Sequence, residues 1–180
     1  MLQSIVTLIV DTVAGLLAVV LLLRFWMQVV RVRPPMSVAH FTFQLSDWMV
    51  KPLRRVVPGV GGYDWASLLG ALLVALLSVV VTAGLFFSLP VQLILLLALL
   101  RFIQWIFYGF MGLIIVEVIF SWINPHAPLA PFIDALTEPL LRPLRRVLPL
   151  IGNIDLSPLV ALVLLQIALR VISGILPGLA

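Results

Sequence analysis

The sequence predicts an all-α, polytopic membrane protein. Four transmembrane helices form two parallel helix–loop–helix repeats, with amphipathic segments at the membrane interface. Three observations predict this. Of the 180 residues, 63% are hydrophobic and only 10% charged, against about 45–50% and about 25% in ordinary globular chains. A soluble domain of this size could not bury so much apolar surface, so lipid must cover it. Four apolar stretches are long enough to cross a bilayer, which takes roughly 20 residues. Finally, the chain matches itself at one fixed offset, the mark of an internal repeat.

The first span is about Leu2–Met27. It carries no Lys or Arg before Arg24, whereas a cleaved signal needs a basic start and a shorter apolar core, so a membrane helix is expected here. The second span is about Ala66–Ser88, closed by Leu89-Pro90. The third lies within Val91–Ile123, longer than one crossing requires. It is expected to tilt, to bend near Gly109 or Gly112, or to begin with an interfacial stretch over 91–101. The fourth is about Pro158–Leu176.

Lys51-Pro52-Leu53-Arg54-Arg55-Val56-Val57-Pro58 matches Arg142-Pro143-Leu144-Arg145-Arg146-Val147-Leu148-Pro149, a shift of 91 residues (142 − 51 = 91). The same shift pairs Pro34 with Pro125, Phe41 with Phe132, Leu45 with Leu136, Asp47 with Glu138, Gly61 with Gly152 and Asp64 with Asp155. Matches at Pro, Gly and Arg argue against coincidence among apolar residues. The units are placed at 1–88 and 89–180. Each crosses the membrane twice, so both have the same orientation, as parallel repeats do.

Eight of the eleven Lys and Arg residues lie between the spans of each unit: Arg31, Arg33, Lys51, Arg54 and Arg55 in the first loop, Arg142, Arg145 and Arg146 in the second. By the positive-inside rule both long loops should be cytoplasmic, both termini outside, and the bacterial cytoplasmic (inner) membrane is the expected location. Leu136, Leu140, Leu144, Val147 and Leu148 recur at helical spacing, with Arg142, Arg145 and Arg146 opposite. Pro139 and Pro143 are expected to break the run into two short helical pieces, lying in the headgroup plane with the apolar side down. Asp64 and Asp155 each precede a span and suit N-caps; Pro158 suits a first helical turn.

Ser121-Trp122-Ile123-Asn124-Pro125, the run Leu136–Pro149, Gly152, Asp155 and Ser157-Pro158 resemble the YggT family of small membrane proteins, as two YggT-like units over nearly the whole chain. The second unit is the closer match. In the first, Trp48 stands where the second has Pro139, Ser67 where it has Pro158 and Arg33 where it has Asn124, so a function resting on the Trp-Ile-Asn-Pro or Ser-Pro elements belongs to the second. The resemblance implies architecture firmly and mechanism thinly. Bacterial members are associated with osmotic tolerance and with genes of cell division and envelope growth. Plastid relatives are linked to haem attachment on a b-type cytochrome and to nucleoid distribution.

Charges inside spans are expensive and are functional candidates by default. Here they are Asp11, Arg24, Arg101, Glu117 and Arg170. In the repeat register Asp11 matches Phe102, level with Arg101, and Arg24 matches Ile115, close to Glu117. Two interhelical pairs are expected, Asp11 with Arg101 or Arg170, and Arg24 with Glu117. Otherwise Arg24 snorkels to the interface. A sharper reading has Asp11, Arg101, Gln166 and Arg170 lining a polar pathway.

Lys51, Arg54, Arg55, Arg142, Arg145 and Arg146 are the expected contacts with anionic headgroups, worth roughly 1 kcal/mol per basic residue near an anionic leaflet, or with a protein partner. A second copy of the chain is a further expected partner. Nucleic acid is not, since no helix-turn-helix or aromatic platform accompanies the arginines. Asp134, Glu138 and Arg142 read as ordinary i,i+4 pairing. Trp26, Trp48, Trp65, Trp105, Trp122, Tyr63 and Tyr108 read mostly as an aromatic belt. His40 and His126 lie in different loops and are not repeat equivalents, so no haem or metal ligation is expected of them. With no cysteine, thiolate chemistry is excluded, and no nucleotide, zinc-protease or serine-hydrolase motif occurs. The expected function is a non-enzymatic membrane scaffold or assembly factor without cofactor; the alternative is a small transporter or channel component responding to osmotic or ionic stress.

Overall fold

A computed structural model describes residues 2–86, 89–148 and 155–175. Pro149 and Gly152 of the repeat, and the expected span ends at Ser88 and Leu176, lie outside the described residues. Six helices follow one another: α1 (Leu2–Val29), α2 (Met36–Val56), α3 (Trp65–Phe86), α4 (Val91–Ile123), α5 (Ala130–Arg145) and α6 (Ser157–Ile175). Of these, α1, α3, α4 and α6 are long and apolar enough to cross a membrane. The fold is all-helical and polytopic, as the sequence predicts. The 91–101 stretch belongs to the same unbroken 33-residue helix as the rest of α4. At about 1.5 Å per residue that helix runs about 50 Å, well beyond a hydrocarbon core of about 30 Å, so it must lean or reach into the headgroups.

Small side chains let α1 and α3 approach closely. Ala18 and Leu21 of α1 pack with Ala66, Ala71 and Val74 of α3 and with Val50 of α2. A Cβ at Gly70 would lie 3.4 Å from Met49 Sδ and 3.5 Å from Leu21 Cδ1, and one at Gly15 would lie 3.4 Å from Trp105 Nε1. Without a hydrophobic drive between helices in lipid, such close van der Waals contact is what holds spans together. Gly109 and Gly112 of α4 play no such part. Nothing lies within 4 Å of a Cβ at either; both border an open apolar cleft of about 510 Å³ beside Trp26 and Phe110. Trp105 is a packing residue against Gly15 rather than part of an interfacial belt.

The chain leaves α1 through a left-handed residue. Arg31 has φ 58°, Val32 N donates to Met27 O at 3.0 Å and Arg31 N to Gln28 O at 3.1 Å. This closes the helix as a glycine usually would, and Pro34-Pro35 then lead into α2.

α5 is one helix, not the two pieces expected. Pro139 and Pro143 stand one turn apart on its exposed side, where the carbonyls they leave free can meet water or headgroups. Nor does its apolar side face lipid. Phe132 and Leu136 pack on Met27 of α1, Leu141 packs on Ile114 of α4 and Ala161 of α6, and Trp26 Nε1 donates to Leu136 O at 2.9 Å. α5 thus ties the second unit to the first. α2 differs: its buried residues are Thr42, Ser46 and Val50.

Candidate functional site

Arginine–carboxylate clusters hold each unit together where its three helices meet. In the first unit Arg24 reaches from α1, with Nε donating to Asp64 Oδ2 at 3.0 Å and Nη1 donating to Ser46 Oγ and Asp47 Oδ1 of α2, both at 2.7 Å. Arg54 of α2 grips the same Asp64 through two donors, Nε to Oδ1 at 3.1 Å and Nη2 to Oδ2 at 2.6 Å. Ser67 Oγ of α3 donates to Asp64 Oδ2 at 2.7 Å. The Arg24 guanidinium also stacks over Phe43, 4.8 Å from the ring centroid. Arg24 and Asp64 are buried; fork-shaped donors with several acceptors are what makes such burial tolerable.

In the second unit Arg145 of α5 is the centre. Its Nη2 donates to Glu117 Oε1 of α4 at 2.6 Å, Nη1 to Glu138 Oε2 at 3.1 Å and Nε to Asp155 Oδ2 at 2.8 Å. Asp155 Oδ1 also accepts from Ser157 N at 2.8 Å, the contact of a helix cap. Asp64 does not cap a backbone amide with its carboxylate: its backbone oxygen accepts from Ser67 N at 3.0 Å, leaving the side chain to the arginines and the Ser67 hydroxyl.

The clusters are repeat equivalents. Arg54 and Arg145, Asp64 and Asp155, and Asp47 and Glu138 are each 91 apart, and in both units the arginine precedes the aspartate by ten residues. The third partner changes sign, Arg24 from α1 but Glu117 from α4. In the first unit two arginines face two carboxylates, with Lys51 bound to Asp47 at 2.9 Å. In the second, one arginine faces three carboxylates, and buried Glu117 Oε2 has no hydrogen-bond partner among the described residues.

Protonation follows from these contacts. Hydrogen bonds from Arg24 and Lys51 hold the Asp47 carboxyl below its ordinary value. Burial pushes Asp64 up, but hydrogen bonds from Arg54 and Ser67 and the charges of Arg54 and Arg24 outweigh it and leave it lowered. Asp155 is lowered the same way, burial being outweighed by Arg145 and Ser157.

Several expected site residues fall elsewhere. Arg24 and Glu117 do not pair: each turns to the loop helix of its own unit, which brings charges closer than the opposite unit can. Nor does Arg24 snorkel. Glu138 bonds Arg145, two turns on, rather than Arg142. Arg54 and Arg145, expected among the lipid or partner contacts, are taken up by the clusters; Lys51, Arg55, Arg142 and Arg146 remain exposed. Trp122, Asn124 and Pro125 are exposed at the end of α4, and Ser157 and Pro158 are buried in the first turn of α6. No cluster of three or more His, Asp or Glu residues able to hold a metal exists among the described residues.

Within the spans, Arg101 Nη1 donates to Asp11 Oδ1 at 2.6 Å and to Ser78 Oγ at 3.0 Å. Arg101 also borders a cavity of about 420 Å³ near the start of α1, lined by Gln3, Thr7, Thr82 and Gln104. Gln166 and Arg170 are not part of it. They stand four residues apart on the exposed face of α6, so the four residues expected to line one pathway are split between two places.

The CCB3/YggT family model matches residues 3–85 and again residues 96–176. The chain belongs to the CCB3/YggT family. It is 35% identical to the Escherichia coli (strain K12) protein YggT over 163 residues, 89% of this chain and 85% of that protein. A Haemophilus influenzae protein is 31% identical over 173 residues, 96% of this chain and 93% of its own, and a Pseudomonas aeruginosa protein is 32% identical over 169 residues, 88% and 83%. All three are described as uncharacterized. No solved structure matches the chain. The YggT-like relatives carry no enzymatic description, and no catalytic constellation stands among the described residues.

Proposed function

We propose that this YggT-family chain is a non-enzymatic scaffold or assembly factor of the bacterial cytoplasmic membrane, acting through its basic interfacial helices. The charge asymmetry of the loops supports placing α2 and α5 on the cytoplasmic side and both termini outside. The observation that carries the reading is the exposed face of α2. Phe41, Leu45 and Trp48 are 59%, 42% and 64% exposed, while Phe132 and Leu136, the equivalents of the first two, are 7% and 0% exposed. Lys51 and Arg55 flank that face. An apolar strip edged by cations suits the headgroup boundary of an anionic leaflet and leaves the Arg142–Arg146 turn open to a protein partner. The rest of the molecule is built as a frame, its buried charges locking helices together.

A second reading, a small transporter or channel component active under osmotic or ionic stress, draws support from the cavity that Arg101 borders. Flux in proteoliposomes separates the two. The scaffold reading expects no potassium, proton or small-osmolyte flux above empty vesicles from folded, inserted protein. Flux abolished by Arg101→Leu and by Asp11→Asn would replace it with transport.

A further inference from the structure

We infer that the exposed face of α6 is a docking surface for α1 of a second copy of this chain, with Arg170 of one copy bound to Asp11 of the other. Arg170 lies within a span, is exposed, and has no hydrogen bond or ion pair among the described residues. Gln166, one turn before it, is exposed too, as are Val163, Ile167 and Val171. A guanidinium and an amide on one lipid-facing stripe are costly, and such residues normally find a protein partner.

The repeat shows at what depth that partner must stand. Arg170 is the equivalent of Val79 (170 − 91 = 79), the neighbour of Ser78, which receives Arg101 Nη1 at 3.0 Å. Arg101 in turn holds Asp11. From the basic end, Arg170 is 13 residues into α6 and Ser78 is 13 residues into α3, so Arg170 lies in the same layer of the membrane as the Asp11–Arg101 pair.

Asp11 has the capacity to answer it. Its side chain is 40% exposed, Arg101 occupies only Oδ1, and Oδ2 has no partner among the described residues. It borders an exposed apolar stripe of α1 formed by Ile5, Leu8, Ile9, Val13 and Leu16. Within the chain, α3 is covered by α4, the first helix of the next unit. α6 is the equivalent of α3, and α1 is the equivalent of α4. A second copy laying its α1 on α6 therefore extends the packing that already joins the two units, antiparallel and with both copies in one orientation. A carboxylate between two guanidiniums, Arg101 of its own copy and Arg170 of the other, completes the pair.

The cysteine-free sequence makes the test direct. Thr12→Cys in one tagged copy and Val171→Cys in another, co-expressed and oxidised in native membranes, should give a mixed disulfide dimer. Thr12→Cys with Val80→Cys on exposed α3 should not. Adding Arg170→Leu to the Val171→Cys copy should lower the mixed dimer about three- to tenfold, the range of a polar contact between spans, while Arg170→Lys should largely retain it. Both changes fall on a lipid-facing position, so insertion, checked by yield of monomer in detergent, should be unchanged. A chain that stays monomeric, a mixed dimer no more abundant than the α3 control, or a yield indifferent to Arg170→Leu would each overturn the inference; the last would mean that Arg170 reaches headgroups instead.

Discussion

α2 and α5 are the same segment written twice, yet they face opposite surroundings. Both carry a Pro-Leu-Arg-Arg run, both give one arginine to an aspartate ten residues on, and both close their unit at the basic end of the spans. But Phe132 and Leu136 are covered by α1 while Phe41 and Leu45 are open. The cause is which helix lies opposite. α1 offers Met27 and Trp26 to α5, whereas among the described residues no helix covers Phe41 and Leu45 of α2 in the same way. One copy of the segment has become a buried joint and the other a surface. The clusters beneath them diverge in parallel: Arg24 balances the first, and Glu117 leaves the second rich in carboxylate.

The sharpest way to break this comparison is to truncate the equivalent aromatics. Phe132→Ala should destabilise the protein by about 3 kcal/mol, the low end for a buried phenylalanine. Phe41→Ala should cost well under ~1 kcal/mol in detergent, since a ring 59% exposed has little protein contact to lose. Reversible unfolding in mixed micelles measures both, and equal costs would mean that α2 is covered as well. The equivalent arginines come next. Arg145→Leu strands three carboxylates and should cost about 2–3 kcal/mol, less than a fully buried pair because its side chain is 35% exposed. Arg54→Leu leaves Asp64 still bound by Arg24 and should cost about 1 kcal/mol. The reverse order would place the weaker cluster in the first unit.

Acid should act on both units alike. Asp47, Asp64 and Asp155 all have folded-state values below the ordinary 3.8. Their stabilisation is therefore fully present above 3.8 and lost as pH falls below it toward the depressed values. Unfolding free energy should be insensitive to these groups between pH 7 and roughly 5 and decline below 3.8; Asp64→Asn combined with Asp155→Asn should flatten that decline. A decline that survives the double change would assign acid sensitivity to other groups.

Much of this was legible in the residues. Spans follow from hydropathy, and the register that aligned Asp11 with Phe102 also put Arg101 at its level. The partners of Arg24 and Glu117 were not read from sequence: Asp64 reads as a helix cap, and Arg145 as a lipid contact. The signal was there: the Arg54–Asp64 and Arg145–Asp155 spacing occurs in both units, and a repeated opposite-charge spacing across a turn marks a clamp. The cover on α5 was not legible. Phe41 and Phe132 are identical residues in matching runs, and only the packing of α1 on α5 tells them apart. Likewise Gly15 and Gly70 sit in contact while Gly109 and Gly112 do not, a difference decided by which helix lies opposite.

The central claim, that one copy of the segment is a joint and the other a surface, is tested most directly by a photo-crosslinking side chain placed at Leu136 and, separately, at Leu45 in native membranes. The account predicts that Leu136 links within the chain, to α1 near Met27, and that Leu45 yields adducts with lipid or another polypeptide and none within the chain. Intramolecular links from Leu45, or external adducts from Leu136, would contradict it.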